Sequence, residues 1–350
     1  MTHAFRMRAF PGRSLHALRL VALAFLLLPV LAAPALALCA GTDLRPVLAR
    51  EVPGAAATIA REAAATPNGE HRLWRVTAPN GAVGHLYGTM HVSDPAVVAL
   101  SPEAEAAYDG AGIVVIETTD VLDEQAMAAG LLARPDLMAF TDGTDLLDRM
   151  DDAEEAMLAR ALKGRGLSLA AVKSLKPWIL SGMIALPACE SGDSFLDLDL
   201  ARDAVNAGRD VRGLETAIEQ MEAMASVPME VHVDALLGSA MLGEDGLVDA
   251  FHTMGRLYAE GRIGEIWPTL QAISAYLAPG AEMDPAAMVA FEEAVITERN
   301  RLMAERAAPI LAEDAAGGAF VAVGALHLPG EAGLVARLRD TGHTVEPVAR

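Results

Sequence analysis

Two histidines close apolar runs in the same way. "HLYGTMH" places His91 three residues after Gly88, and "FVAVGALH" places His327 three residues after Gly324. Both runs read as strands. Alternate side chains of a strand share a face, which sets Gly88 and Met90 opposite Thr89 and His91, and Gly324 and Leu326 opposite Ala325 and His327. The glycine lets another backbone or a ligand approach closely. The histidine falls at the carboxyl end of its strand, where open α/β sheets bind their ligands. Two neutral imidazoles delivered there can share one divalent metal.

Such a site needs an acid, and two strand ends offer one. Glu117 closes "IVVIE" and Glu215 lies in "VRGLET". A carboxylate beside a strand that apolar costs several kcal/mol unless a cation or metal meets it. Two histidines with one or two carboxylates suit metal-assisted hydrolysis: the metal acidifies a bound water and a free carboxylate takes its proton. Glu117 can serve as ligand or as base. Three readings stand on these residues: a metal-dependent hydrolase, a binding protein without turnover, and a structural protein whose histidines pack in the core. His71, His85, His232, His252 and His343 have no comparable setting. The Met and Leu residues at helical spacing between 217 and 260 read as core. No Gly-rich phosphate loop, G-x-S-x-G elbow or H-E-x-x-H motif is present.

The elements that must carry these groups follow from the pattern. "LWRVTAP", "GAVGHLYGTMH" and "GIVVIETTD" read as strands, the first two joined across Asn80–Gly81 as a hairpin. "SPEAEAAYDGA" reads as a helix capped by Ser101 with Pro102 in its first turn. Residues 41–70 suggest a short helix and then a loop. Helical periodicity dominates 122–188 and 216–313, interrupted by one buried strand in "DVRGLET". "DPAAMVAFEEAVITERNRLMAERAAPILAE" reads as a single helix opened by Asp284 and Pro285. "AFVAVGALH", "GEAGLVARLRDTG" and "HTVEPV" close the chain as strand, helix and strand, with Gly342 as the helix stop. The expectation is a mixed α/β (α+β) fold. Both chain ends build a central mixed sheet, and a helical insertion around 122–313 makes a large middle layer.

Arg6, Arg8, Arg13 and Arg19 precede an apolar run ending in Ala35-x-Ala37, the pattern of a secretory signal peptide cut after Ala37. An uncleaved anchor fits less well, because Pro29 and Pro34 interrupt the run. A lipoprotein signal would need a small residue where Leu38 precedes Cys39. Residues 38–350 are then a single domain, periplasmic or secreted, with no membrane span after cleavage. Loss of four arginines and no acid takes the net charge from −20 to −24. No basic stripe offers a nucleic-acid surface. Cys39 and Cys189 are the two cysteines. An even pair in an oxidising compartment suggests one disulfide between them. Two cysteines cannot make a Cys-rich zinc centre, which leaves His, Asp and Glu as the ligands.

The ordered set "LYGTMHVSDP", "AYDGAGIVVIETTD", "KPWILSGMIA", "FLDLDLARDAVNAGRDVRGLETAIEQMEAM", "VITERNRLMAERAAPILAE" and "FVAVGALHLPGEAGLVARLRDTGHTVEPV" resembles the TraB/GumN family from about 40 to 348. The Tiki proteases belong to the same broader group. The resemblance implies a fold akin to erythromycin esterase and ChaN. It implies a metal-dependent peptidase with manganese, cobalt or zinc held by His91, His327 and Glu117. It also implies a second acid at Glu215, as catalytic group or as partner of Arg299, and substrate contacts from Arg299 and Asn300. "CAGTDL" and "ACESG" resemble the bacterial branch, which favours the Cys39–Cys189 bridge. The alternative it carries is a ChaN-like binding protein for a metal complex, peptide or signal molecule. The Tiki proteins are membrane-anchored and this chain is expected to be released, so their substrate does not transfer.

Overall fold

In the computed structural model, residues 40–190, 195–280 and 284–348 are described, and the contacts of Leu38–Arg350 make one compact unit. The expected signal peptide lies outside the described residues. So does Cys39, and with it the expected bridge to Cys189.

Six strands form one mixed sheet: β1 (Leu73–Thr77), β2 (Val83–Thr89), β3 (Ile113–Ile116), β4 (Asp210–Gly213), β5 (Ala319–Gly324) and β6 (Thr344–Pro347), in the spatial order β4-β3-β5-β2-β1-β6. β4, β3, β5 and β2 run parallel, while β1 pairs antiparallel with both β2 and β6. The turn at Asn80–Gly81 closes the β1–β2 hairpin. Gly81 takes φ +89°, and Asn80 Oδ1 accepts the Ala82 amide at 3.1 Å. Because four strands are parallel, their carboxyl ends share one edge of the sheet. Thr89, Ile116, Gly213 and Gly324 end there, and His91, Glu117, Glu215 and His327 follow them within three residues.

Helices cover both faces, as a parallel sheet of Val, Ile and Leu requires. On one face Val76, Leu86, Val115, Val321 and Val323 pack against Met303, Ala304 and Leu311 of the Glu298–Leu311 helix and Leu334, Val335 and Leu338 of the Leu334–Asp340 helix. On the other, Tyr87, Val114, Ile116 and Phe320 meet Ala104 and Tyr108 of the Pro102–Gly110 helix and Leu200, Ala201 and Ala204 of the Leu196–Asn206 helix. Each such aliphatic or aromatic side chain gains about 1.5–3 kcal/mol on full burial. Ser101 caps the Pro102 helix as expected, accepting from the Ala104 amide at 3.3 Å. A separate helical core gathers Leu146, Leu158, Leu162, Leu180, Ile184, Leu236 and Leu237.

Five local expectations change. β5 ends at Gly324, and Ala325–His327 form a 3-10 turn, so strand alternation does not set the direction of His327. β2 likewise ends at Thr89, two residues before His91. "DVRG" is the edge strand β4, exposed at both its ends, not a buried strand. Residues 41–70 hold two helices, Arg45–Glu51 and Ala55–Ala65. The long C-terminal helix is present, capped by Asp284, but a π-turn over Glu293–Thr297 divides it immediately before Arg299 and Asn300.

The two repeated glycines have separate steric reasons. A Cβ on Gly88 would lie 2.7 Å from Leu328 Cδ1 and 3.0 Å from Ala325 Cα, so the first motif needs glycine to receive the second. A Cβ on Gly324 would lie 3.1 Å from Glu117 Oε1. Gly88→Ala is expected to cost about 1–3 kcal/mol through overpacking. Gly110→Ala, where nothing lies within 4 Å, is expected to be neutral or slightly stabilising. Urea unfolding of both variants checks this, and equal midpoints would refute the close approach at Gly88.

Candidate functional site

Arg299 is the centre of the sheet's carboxyl edge. Its Nη2 reaches Glu117 Oε2 at 2.7 Å and also binds Glu215 Oε1, while its Nε donates to Glu215 Oε1 and Oε2 at 3.1 and 3.2 Å. Gln220 Nε2 donates to both acids, at 3.2 Å to Glu117 Oε2 and 3.1 Å to Glu215 Oε1. Glu117 Oε1 accepts the Gly324 amide at 2.7 Å and stands 3.9 Å from His327 Nε2. The ends of β3 and β4 thus meet one helix through a single guanidinium, and the end of β5 joins them through Glu117. The π-turn helps to aim it: Arg299 Nη1 donates to the Val295 carbonyl at 3.2 Å.

His327 is buried, and its Nδ1 lies 2.7 Å from Asn300 Oδ1. Asn300 Nδ2 donates to the Ala332 carbonyl at 3.0 Å, which fixes the amide with its oxygen toward the ring. His327 Nδ1 must then carry the proton, leaving the Nε2 lone pair on the side of Glu117. Asn300, expected to contact substrate, is 1% exposed and both ends of its amide are engaged. It orients His327.

His91 sits at the rim with its side chain 56% exposed, tilted against Phe195 at 4.8 Å between ring centroids. Its Nε2 is 3.5 Å from Asp197 Oδ2. Asp197 is 3% exposed, accepts Thr89 Oγ1–H at 3.0 Å on Oδ1, and leaves Oδ2 without a hydrogen bond. The sequence reading missed this residue. The signal was there: Asp197 shares a helix face with Leu200, Ala201 and Ala204, a position where an acid has no packing reason to be.

Electrostatics follow from these contacts. Burial holds the His327 imidazole down to about 4, against the acids that favour its charge, so it is neutral at pH 7. Burial works to raise Glu117, but His327, Arg299, His91 and the Gly324 amide outweigh it and bring the carboxyl to about 2. His327 is charged only below about pH 4, which leaves Arg299 and the Gly324 amide as the principal partners at neutral pH. Desolvation lowers His91, yet the Asp197 and Glu117 carboxylates raise it above its ordinary value overall. Arg299 loses hydration and is still held above its usual range by Glu215 and Glu117.

The donor chemistry suits a divalent cation. Glu117 and Glu215 are buried acids on one buried guanidinium, and Asp197 is a third buried acid beside His91, so with all three ionised and both histidines neutral the group holds two excess negative charges. Each histidine has one ring nitrogen beside a side-chain oxygen and the other left over, the pattern by which outer partners orient metal-binding imidazoles. Among the described residues, however, no three His, Cys, Asp or Glu side chains stand together closely enough to hold a metal as they lie. His327 stands beside Glu117 and His91 beside Asp197 as two separate pairs, with Glu117 also bonded to Arg299.

The neutral state of His327 has a consequence for metal-free protein. The unfolded chain protonates this histidine near pH 6.5 and the folded chain near 4, so stability is lost as pH falls through that window. Lowered values at His232 and His85 add slope of the same sign, and Glu117 adds more between about 4.5 and 2. The melting temperature is expected to drop from pH 6.5 to 4, and His327→Gln should flatten part of that slope. Identical pH profiles of the two proteins would contradict a buried neutral His327.

Comparison with curated proteins and with solved structures finds no match. A family model does match, over residues 72–347, which spans all six strands and every residue of the carboxyl-edge cluster. The chain belongs to the TraB/PrgY/gumN family.

Proposed function

We propose that this protein is an exported, divalent-metal-dependent hydrolase whose substrates are peptides. The observation that carries the reading is the excess of buried acid: Glu117 and Glu215 share the Arg299 guanidinium, and Asp197 lies beside His91 with Oδ2 lacking a hydrogen bond. Leaving two carboxylate charges uncompensated in a buried site costs several kcal/mol, and one divalent cation offsets both. His327 through Nε2, Glu117 through Oε1 and His91 would hold the metal, with Asp197 beside His91. Manganese, cobalt and zinc all suit two imidazoles with carboxylates. The bound cation would supply a water acidified toward neutral pH.

The protein's own groups then divide the remaining work. A carboxyl held at about 2 is a weak base, which favours Glu117 as a ligand over a proton acceptor. Glu215 is committed to Arg299 and Gln220, where it sets the guanidinium. His91, exposed at the rim and supported by Asp197, would complete the metal's ligand set from the solvent side. Arg299 offers positive charge beside the site for an oxyanion. Export rests on the Arg-rich, apolar, Ala35-x-Ala37 start, and with it go residues 1–37 as signal peptide, 38–350 as the mature domain and a Cys39–Cys189 disulfide. A second reading, capture of a metal complex or peptide without turnover, is favoured by the commitment of Glu117 to Arg299 and the Gly324 amide.

Calorimetric titration with Mn²⁺ or Co²⁺ is expected to show one site per chain. His327→Ala and Glu117→Gln should each weaken it by about 10-fold or more while keeping the circular dichroism of the parent. Unchanged stoichiometric binding in both variants would put the metal elsewhere. Cleavage of fluorogenic peptide libraries separates the two readings. Metal-dependent turnover that disappears in His327→Ala supports the hydrolase. Tight metal binding with no turnover across the library supports capture.

A further inference from the structure

The loop "LPGEAG", Leu328–Gly333, joins the second histidine motif to the last helix, and its shape is tightly specified. Gly330 adopts φ +90°, and its amide donates to the Pro67 carbonyl at 2.8 Å. A Cβ on Gly333 would fall 2.2 Å from the Pro329 oxygen and 2.3 Å from the Leu328 oxygen. This packing presents the Ala332 carbonyl to two donors at once. One is Asn300 Nδ2 at 3.0 Å, and the other is Arg337 Nε at 2.9 Å. The same guanidinium sends Nη2 to the Thr297 carbonyl at 3.3 Å, the last residue of the π-turn that precedes Arg299 and Asn300.

We infer that Arg337 is a positioning residue for the site: it fixes the Ala332 carbonyl, the carbonyl fixes the Asn300 amide, and the amide fixes the proton on His327 Nδ1. The inference rests on the reading of His327 Nε2 as a metal donor. An amide side chain has two nearly isosteric orientations, and the acceptor it meets decides between them. With Ala332 in place, Asn300 must turn its NH₂ outward and its oxygen toward His327. If that carbonyl drifts, the amide can rotate by half a turn and present NH₂ to the ring. The imidazole would then carry its proton on Nε2, the nitrogen required to be bare. Arg337 reaches two carbonyls belonging to different segments, the histidine loop and the π-turn. The planar fork of arginine can hold both, whereas a single ammonium cannot.

A neighbouring arginine supplies a control. Arg339 lies on the same Leu334–Asp340 helix, but it bonds the Val345 carbonyl at 2.7 and 3.1 Å and Asn68 Oδ1 at 2.9 Å, all away from the cluster. The experiment is ¹⁵N NMR of histidine-labelled, metal-free protein, read at His327, combined with Co²⁺ titration. The parent should show a neutral imidazole protonated on Nδ1. Arg337→Ala should mix or invert the tautomers and weaken Co²⁺ by about 3- to 10-fold, less than the 10- to 100-fold typical of a residue touching the ligand directly. Arg339→Ala should leave both unchanged. In the double variant Arg337→Ala/Asn300→Ala, Co²⁺ affinity should be no weaker than in Asn300→Ala alone, because the effect travels through that amide. An unaltered His327 tautomer in Arg337→Ala overturns the inference. So does an equal loss in Arg339→Ala, or full additivity in the double variant. If the parent binds no Co²⁺, the metal reading fails, and the tautomer still decides the role of Arg337.

Discussion

A buried guanidinium between two buried carboxylates organises this molecule. Arg299 is 12% exposed in its side chain, Glu117 10% and Glu215 2%. None of the three is stable there alone, since an isolated buried charge costs several kcal/mol. Together they require that the ends of β3 and β4 stay level with the start of the Glu298–Leu311 helix. The Gly324 amide on Glu117 adds the end of β5 to the same constraint. Sheet register, helix position and site geometry are therefore one problem with one solution. A shift of β3 or β4 by a residue would take a buried carboxylate away from its guanidinium.

Several otherwise odd local features serve that solution. The π-turn before Arg299 is one, since an extra residue per turn changes the direction of everything after it. The carbonyls it leaves poorly placed are taken by Arg299 and Arg337. Gly324 is another: a side chain there would crowd Glu117 Oε1, which accepts the backbone amide of that residue. Gly88 admits Ala325 and Leu328, which brings the two histidine motifs into contact although 236 residues separate His91 from His327.

Much of this was legible in the sequence because it is written in residue type. Apolar runs closed by Glu117 and Glu215, the repeated Gly-x-x-His and the Asn80–Gly81 turn each carry a local physical meaning that survives folding. What was not legible depended on pairing between distant segments. β4 reads as a buried strand between two helical stretches, but only the strand order makes it an edge. His327 was expected to follow strand alternation, yet the chain turns into a 3-10 geometry after Gly324 as it meets Gly88. Asn300 looks like a polar residue available to a ligand, and only the Ala332 carbonyl, contributed by a loop 32 residues away, turns it toward His327. Asp197 hides among the alternating Leu and Asp of "LDLDL". Its neighbour Asp199 shows that an acid in that helix need not point inward: Asp199 is exposed and Asp197 is buried.

The arrangement also explains why its donors stand apart. Glu117 lies against the Arg299 guanidinium, and His91 lies beside Asp197. Each contact satisfies one group while withholding it from a common centre. Glu117 divides its two oxygens: Oε2 is held by Arg299 at 2.7 Å, while Oε1 accepts the Gly324 amide at 2.7 Å and stands 3.9 Å from His327 Nε2. On the proposed reading, Oε1 and His327 Nε2 would be the atoms offered to a divalent cation, and Arg299 would keep the other oxygen. That division of a single carboxylate would make a strong salt bridge compatible with a metal site.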